Sequence, residues 1–236
     1  MRISWLIKSF LPVSFKSNIK SKLGVPSLHK SFTNLKKLGW RPRSVIDGGA
    51  YEGYWTKDFL KIYPTAKMLL VEAQHEKLSI IRKNCGLNVT IVNALLSSCD
   101  DKTLYFSLNE TASSVVNSQL GSSVLQIKSR SLDSITHELN FVEIDLLKLD
   151  VQGHELEVLK GSSNLLISVE FVLLEMTLMP ISEHEPIFLE VLNYMDACGF
   201  QMYDIPSLIY KPYDKALYQI DGLFVKKDSK YININW

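Results

Sequence analysis

The sequence has few cysteines and no excess of either charge, and each shortage excludes a class of protein. The three cysteines, Cys85, Cys99 and Cys198, are scattered without C-x-x-C spacing, so they predict neither a disulfide framework nor a zinc site. Lysine and arginine number 26 against 25 aspartate and glutamate residues, which leaves no overall positive charge to attract a polyanion. We therefore expect no nucleic-acid partner.

Long apolar runs are also absent, so the sequence predicts no membrane span. The first 24 residues are basic and carry an apolar patch, but Lys8, Pro12 and Lys16 interrupt it and no cleavage site is evident. We interpret residues 1–40 as a helical lead-in with weak membrane-surface contact as a minor expectation, followed by one domain over residues 41–236. The expected location is cytoplasmic, and the sequence leaves the oligomeric state open.

From residue 44 onward, short apolar runs alternate with helical periods, which is typical of an α/β fold with a parallel, helix-covered sheet. The predicted strands are "SVIDGG", "KMLLVEA", "NVTIVNALLS", "DLLKLDVQ" and "ISVEFVLLEMT". Two further strands, "FQMYDI" and "YQIDGLFVKK", lack a helical connection and should pair antiparallel. Between the two halves, "DDKTLYFSLNE" predicts an extra extended segment and "TASSVVNSQLGSS" a mobile loop.

A glycine turn follows the first strand in "VIDGGAYEG". A dinucleotide-binding turn needs G-x-G-x-x-G, and counting from Gly48 its second glycine is replaced by Ala50. This disfavours an NAD-dependent oxidoreductase. The pattern that fits is D-x-G-x-x-x-G, formed by Asp47, Gly49 and Gly53.

An acid at the first strand tip suits a ligand with an amino-acid end, because Asp47 can attract its ammonium directly or through water. Backbone N–H groups at the start of the next helix can receive its carboxylate. Glu72, 25 residues later at the next strand tip, is placed to accept hydrogen bonds from a ribose diol. S-adenosylmethionine has both parts, and its adenine would lie near Asn93 and Ala94. Helix–strand packing is the alternative explanation of the glycines.

The second dense stretch, "LLKLDVQGHELEVLKGS", brings Asp150, Gln152 and His154 to the same sheet edge. Here the sequence resembles the FkbM family of S-adenosylmethionine-dependent methyltransferases, over roughly residues 44–226. The resemblance rests on this stretch, on "VIDGGAYEGYWT", on "VEA", on "VNALLSS" and on "DGLFVKK".

The resemblance implies a Rossmann-like class I methyltransferase fold, with a seven-stranded, mostly parallel sheet, an antiparallel last strand and helices on both faces. It also implies O-methylation of a hydroxyl on a sugar, a glycan or a secondary metabolite. The expected cofactor contacts are Asp47, Gly48, Gly49, Ala50, Tyr51, Gly53, Glu72, Ala73, Asn93, Ala94 and Asp150.

Three residues are candidates to receive the acceptor's proton: Asp150, His154 and Glu175. Each has an ordinary alternative, namely a helix cap, a surface position and an ion pair, respectively. Methyl transfer from a sulfonium requires no metal, and the sequence lacks the Asp-Asn pair that would favour magnesium. The competing hypothesis is a non-catalytic methyltransferase-like scaffold in a glycan-assembly complex.

Overall fold

A computed structural model describes residues 25–109, 113–116, 124–179 and 186–232. The helices in these ranges are α1 (Leu28–Lys37), α2 (Tyr54–Ile62), α3 (Leu78–Cys85), α4 (Leu132–Glu138), α5 (Glu155–Lys160), α6 (Leu165–Ser168) and α7 (Phe188–Ala197). The strands are β1 (Ser44–Gly48), β2 (Lys67–Glu72), β3 (Val89–Asn93), β4 (Leu95–Leu96), β5 (Thr103–Ser107), β6 (Ser114–Val116), β7 (Val124–Arg130), β8 (Ile144–Leu149), β9 (Phe171–Thr177), β10 (Phe200–Tyr210) and β11 (Leu217–Lys226).

The main sheet of the described chain has seven strands in the order β10-β11-β9-β8-β1-β2-β3. Strand β11 runs antiparallel to both of its neighbours, and the remaining pairs are parallel, so the predicted fold class is confirmed. Side chains of a strand alternate between two apolar clusters: Ile46 of β1 belongs to one and Val45 to the other. Both faces of the sheet are therefore buried, as a parallel sheet requires.

Helix α1 packs on the same core as the sheet. Phe32 and Leu35 are buried in one of the two clusters, and the Tyr63 hydroxyl donates to the Phe32 carbonyl oxygen at 2.8 Å. Residues 1–24, which carry the predicted membrane contact, lie outside the described residues, and the domain boundary at residue 40 stays a prediction. In the described part of the chain, no helix is long and apolar enough to cross a membrane.

The middle of the chain differs from the prediction. "NVTIVNALLS" forms two strands, because only β3 joins the main sheet while β4 turns away to pair with β7. The segment predicted as a mobile loop contributes strand β6, which pairs with β5 through Ser114–Val116, while residues 110–112 and 117–123 lie outside the described residues. Strands β4 to β7 form a second sheet, in the order β4-β7-β5-β6. Leu95 and Leu96 of β4, Phe106 of β5 and Val115 of β6 line the cavity described below, so the small sheet provides one of its walls.

Candidate functional site

A cavity of about 260 Å³ opens at the carboxyl edge of β1, β2 and β8, where open α/β sheets bind ligands. Of the predicted cofactor contacts, all of which the structure describes, six line this cavity: Gly49, Tyr51, Glu72, Ala73, Ala94 and Asp150. Asn93 lines an adjoining cavity that shares Ala73 and Ala94 with the first. The remaining four, Asp47, Gly48, Ala50 and Gly53, are not among the lining residues of either cavity.

The glycines of the turn are required by packing within the protein. Gly49 has φ +73°, and a Cβ there would lie 1.9 Å from the Asp150 carbonyl oxygen. Gly53 has φ +77°, and its Cβ would lie 2.7 Å from Cys85 Sγ. Side chains at either position would collide with neighbouring elements in a backbone conformation that favours glycine. The packing explanation therefore accounts for both glycines, and the turn brings β1 and β8 close together beneath the cavity.

The amide groups of this turn already have partners. Gly49 and Ala50 donate their N–H groups to the Val71 carbonyl oxygen at 2.9 and 3.2 Å, and Tyr51 donates to Glu72 Oε2 at 2.7 Å. These three amides are therefore occupied within the protein, and the expectation that N–H groups at the start of the next helix receive a ligand carboxylate stays a prediction. The turn fixes β1 against the end of β2.

Glu72 is the best-positioned polar group in the cavity wall. Its carboxylate accepts N–H groups from Tyr51 and Gln74 at 2.7 and 2.8 Å, and the residue is only 5% exposed. Burial raises the pKa of Glu72, while the two backbone N–H groups act in the opposite direction. Each carboxylate oxygen can accept a second hydrogen bond, so Glu72 can still bind a pair of ligand hydroxyls.

Asp47 lies beneath the cavity and is fully buried. Thr56 Oγ1 donates to its Oδ2 at 2.7 Å, and the Lys148 Nζ lies 2.9 Å from its Oδ1, which has no other partner among the described residues. Lys148 Nζ is also 3.6 Å from Asp150 Oδ2 and donates to the Gly49 carbonyl oxygen at 3.1 Å. Burial lowers the pKa of Lys148, but the carboxylates of Asp47 and Asp150 outweigh this and raise it overall.

Sequence reasoning missed Lys148. The signal was present, because a lone lysine between apolar residues in "LLKLD" places a charge in a strand buried on both faces. Such a charge needs a buried partner. Asp47 is that partner, since the β1–β8 register sets the two residues side by side.

Acidic residues of the neighbouring strands β9 and β11 lie near Asp150. Gln152 Nε2 donates to Asp150 Oδ1 at 2.8 Å and to Glu175 Oε1 at 3.0 Å, so the two predicted acids do come together. Asp221, which the sequence reasoning gave no role, pairs with Glu175 in the register of β11 and β9. Burial, reinforced by the charge of Asp150, raises the pKa of Glu175 well above its usual range and that of Asp221 to about 6.

His154 lies in the cavity wall, with its Nε2 3.0 Å from Ser97 Oγ. Burial lowers the pKa of His154 to about 4, so the imidazole is neutral at physiological pH. Among the described residues, no group of histidine, cysteine, aspartate and glutamate side chains is arranged to hold a metal ion.

The next residue, Glu155, is buried and closes the turn before α5. Its carboxylate accepts the N–H groups of Val151 at 2.8 Å and Gly153 at 3.1 Å. The helix begins at Glu155 and not at Gly153, because Gly153 has φ +91° and Gln152 has φ +54°. Glu155, and not Asp150, therefore accepts the N–H groups of the turn that leads into α5.

Residues 47–202, about two-thirds of the chain, match the model of the methyltransferase FkbM domain. The chain belongs to the FkbM methyltransferase family. A stretch of 51 residues is 45% identical to the hexuronic acid methyltransferase AglP of Haloferax volcanii, and it spans 22% of this chain and 21% of AglP. The family assignment confirms the resemblance noted from the motifs.

Two solved structures are similar to this chain at low sequence identity. A Klebsiella pneumoniae protein assigned as an O-methyltransferase is 13% identical, and the match covers 94% of each chain with a TM-score of 0.50. TrmK of M. capricolum, solved with S-adenosylhomocysteine, is 12% identical over 78% of this chain and 62% of that chain, with a TM-score of 0.49. The match to the Klebsiella pneumoniae protein shows the class I methyltransferase fold of this FkbM protein.

Proposed function

We propose that this FkbM protein transfers a methyl group from S-adenosylmethionine to a hydroxyl group of a saccharide. The observation that carries the proposal is the buried Glu72 carboxylate in the wall of the cavity, held by two backbone N–H groups and still able to accept ligand hydroxyls. It lies at the carboxyl edge of the sheet in a member of a methyltransferase family.

The residues around the cavity fit the parts of S-adenosylmethionine. Glu72 would accept the ribose hydroxyls, and Asp150, whose side chain is 38% exposed, would face the methionine end. The surface for the adenine ring is apolar and comprises Val71, Ala94, Leu95, Leu96 and Phe106. The cofactor supplies a methyl group on a positively charged sulfur, which is a good leaving group. The protein has to align the acceptor oxygen and provide for its proton.

His154 is the favoured proton acceptor. As the acceptor oxygen bonds to the methyl carbon and the carbon–sulfur bond breaks, the hydroxyl proton must leave. A neutral imidazole can take it, whereas burial and the charge of Asp150 raise the pKa of Glu175 and favour its protonated form. The charge of Glu157, which raises the pKa of His154, would stabilise the imidazolium that forms.

The local match to a hexuronic acid methyltransferase supports a saccharide acceptor. The test is to incubate the full-length protein with methyl-labelled S-adenosylmethionine and three acceptor classes: neutral oligosaccharides, uronate-containing oligosaccharides and hydroxylated secondary metabolites. We expect label in a saccharide as an alkali-stable methyl ether. An alkali-labile methyl ester would instead show transfer to a carboxylate, and label only in secondary metabolites would contradict the saccharide assignment.

A further inference from the structure

The negative charge of Asp47, near the end of β1, is neutralised by a buried lysine of the protein itself. Asp47 is fully buried, it accepts a hydrogen bond from Thr56, and its other oxygen faces the Lys148 ammonium at 2.9 Å. It does not line the cavity. A ligand ammonium could reach Asp47 only by displacing Lys148, which also holds the Gly49 carbonyl oxygen of the turn.

Asp150 is in the opposite situation. It lines the cavity, its side chain is 38% exposed, and its ion pair with Lys148 is longer, at 3.6 Å. It is not the helix cap, since His154 is the N-cap residue of α5, and Glu155 accepts the N–H groups of the turn before it. Its hydrogen bond from the neutral Gln152 amide brings no positive charge.

The charges beneath the cavity therefore do not balance. In the described part of the chain, the Lys148 ammonium is the cation that lies within 4 Å of the two carboxylates of Asp47 and Asp150. Two negative charges share one positive charge, and the excess negative charge lies at Asp150, the more exposed of the two carboxylates. A cationic group placed against Asp150 restores the balance and is attracted in a partly desolvated site.

We propose that Asp150, and not Asp47, binds the ammonium of the cofactor's methionine end, and that Lys148 is the positioning residue that sets this assignment by occupying Asp47. The inference rests on the proposed use of S-adenosylmethionine. It reverses the expectation from the glycine turn, in which Asp47 attracts the ammonium.

The experiment compares two ligands that differ at the methionine end. S-adenosylhomocysteine carries the amino-acid end, whereas 5′-methylthioadenosine shares the nucleoside and the thioether and lacks the amino and carboxyl groups. Calorimetry on the full-length protein gives the ratio of their dissociation constants. Loss of a charged hydrogen bond should cost Asp150→Asn roughly 10- to 100-fold in affinity for S-adenosylhomocysteine, with 5′-methylthioadenosine within about 3-fold of wild type.

Substitutions in the buried pair of Asp47 and Lys148 should have non-additive effects on this ligand selectivity. Asp47→Asn should also reduce the selectivity for S-adenosylhomocysteine, because it releases Lys148 to pair with Asp150. Adding Lys148→Met to Asp47→Asn removes that competing ammonium and should restore the selectivity. A structural role alone would change the affinities for both ligands together.

Two results would overturn the inference. One is an Asp150→Asn variant that keeps the wild-type ratio of the two dissociation constants. This variant leaves the buried pair of Asp47 and Lys148 intact. The other is a folded Asp47→Asn/Lys148→Met variant whose selectivity for S-adenosylhomocysteine over 5′-methylthioadenosine falls as far as that of Asp150→Asn. Failure of the wild type to bind either nucleoside would overturn the proposed cofactor as well, and it is distinguishable from a loss of selectivity alone.

Discussion

The Lys148 ammonium lies 2.9 Å from Asp47 Oδ1, with side-chain exposures of 7% and 0% respectively. Removing one member of a buried pair leaves an uncompensated charge, which typically costs about 3 to 5 kcal/mol. Lys148→Met should therefore lower the free energy of unfolding in urea by about that amount. The double variant Asp47→Asn/Lys148→Met should lose less than half as much. A Lys148→Met protein as stable as the wild type would show that the pair does not stabilise the fold.

The glycine turn can be tested with a matched pair of substitutions. Gly39 and Gly49 have similar positive φ angles, +89° and +73°, but a Cβ at Gly39 meets nothing within 4 Å, whereas at Gly49 it meets the Asp150 carbonyl oxygen. Gly39→Ala should cost about 1 kcal/mol of stability from backbone strain alone. Gly49→Ala should cost about 3 kcal/mol and abolish nucleoside binding, because the end of β8 must move. Equal unfolding midpoints for the two variants would contradict the close approach of β1 and β8.

Burial of His154 predicts a pH dependence of stability. Its pKa is about 4 in the folded protein and near its ordinary 6.5 when unfolded, so between these values the unfolded state binds the extra proton. The contribution of neutral His154 is complete above pH 6.5 and is lost as the pH falls toward 4. Glu155, whose pKa burial raises to about 7, has the opposite dependence.

The measurement for His154 is therefore the difference in unfolding free energy between the wild type and His154→Gln, taken at several pH values. The wild type should lose on the order of 3 kcal/mol relative to the variant between pH 6.5 and 4. In methyl transfer, His154→Gln should lower kcat by roughly 100-fold, with an unchanged dissociation constant for S-adenosylhomocysteine. A pH-independent difference would refute the burial of a neutral imidazole, and an unchanged kcat would refute its role as a base.

Glu155 shows how a buried acid supports the site without touching a ligand. Glu155→Ala leaves the N–H groups of Val151 and Gly153 without their partner, which should cost about 2 kcal/mol and weaken nucleoside binding, because the same turn carries Asp150. Glu155→Gln keeps one acceptor oxygen and should cost less than half of that. Thermal unfolding of the wild type and the two variants measures these losses, and a Glu155→Ala protein as stable as the wild type would mean that the carboxylate does not close the turn.

The main sheet could be predicted from the sequence because its strands are apolar runs that are buried on both faces of the sheet, as in β1 and β9. The same rule placed Glu72 and Asp150 at one edge, since Glu72 ends β2 and Asp150 follows directly on β8, and His154 comes a few residues later in the turn before α5. The small sheet was missed because β6 is three half-buried residues in a polar segment, with no periodicity to detect.

Contacts between residues far apart in the sequence were the second feature that could not be predicted. Asp47 as a ligand contact was the natural interpretation of an acid before a glycine turn, and its partner Lys148 lies about a hundred residues away in sequence. Only the register of β1 against β8 brings the two charges together. Asp221 escaped notice for the same reason, since its place opposite Glu175 depends on the pairing of β11 with β9.

The central claim is that the cavity beside Glu72 binds the nucleoside of S-adenosylmethionine. Calorimetric titration of the full-length protein with S-adenosylhomocysteine tests it most directly, with Glu72→Gln as the variant and Glu143→Gln, in an exposed ion pair with Arg43, as the control. We predict saturable binding by the wild type and the control, and an affinity at least about 10-fold lower for a folded Glu72→Gln protein. No binding by the wild type at millimolar ligand, or equal affinities for all three proteins, would contradict the claim.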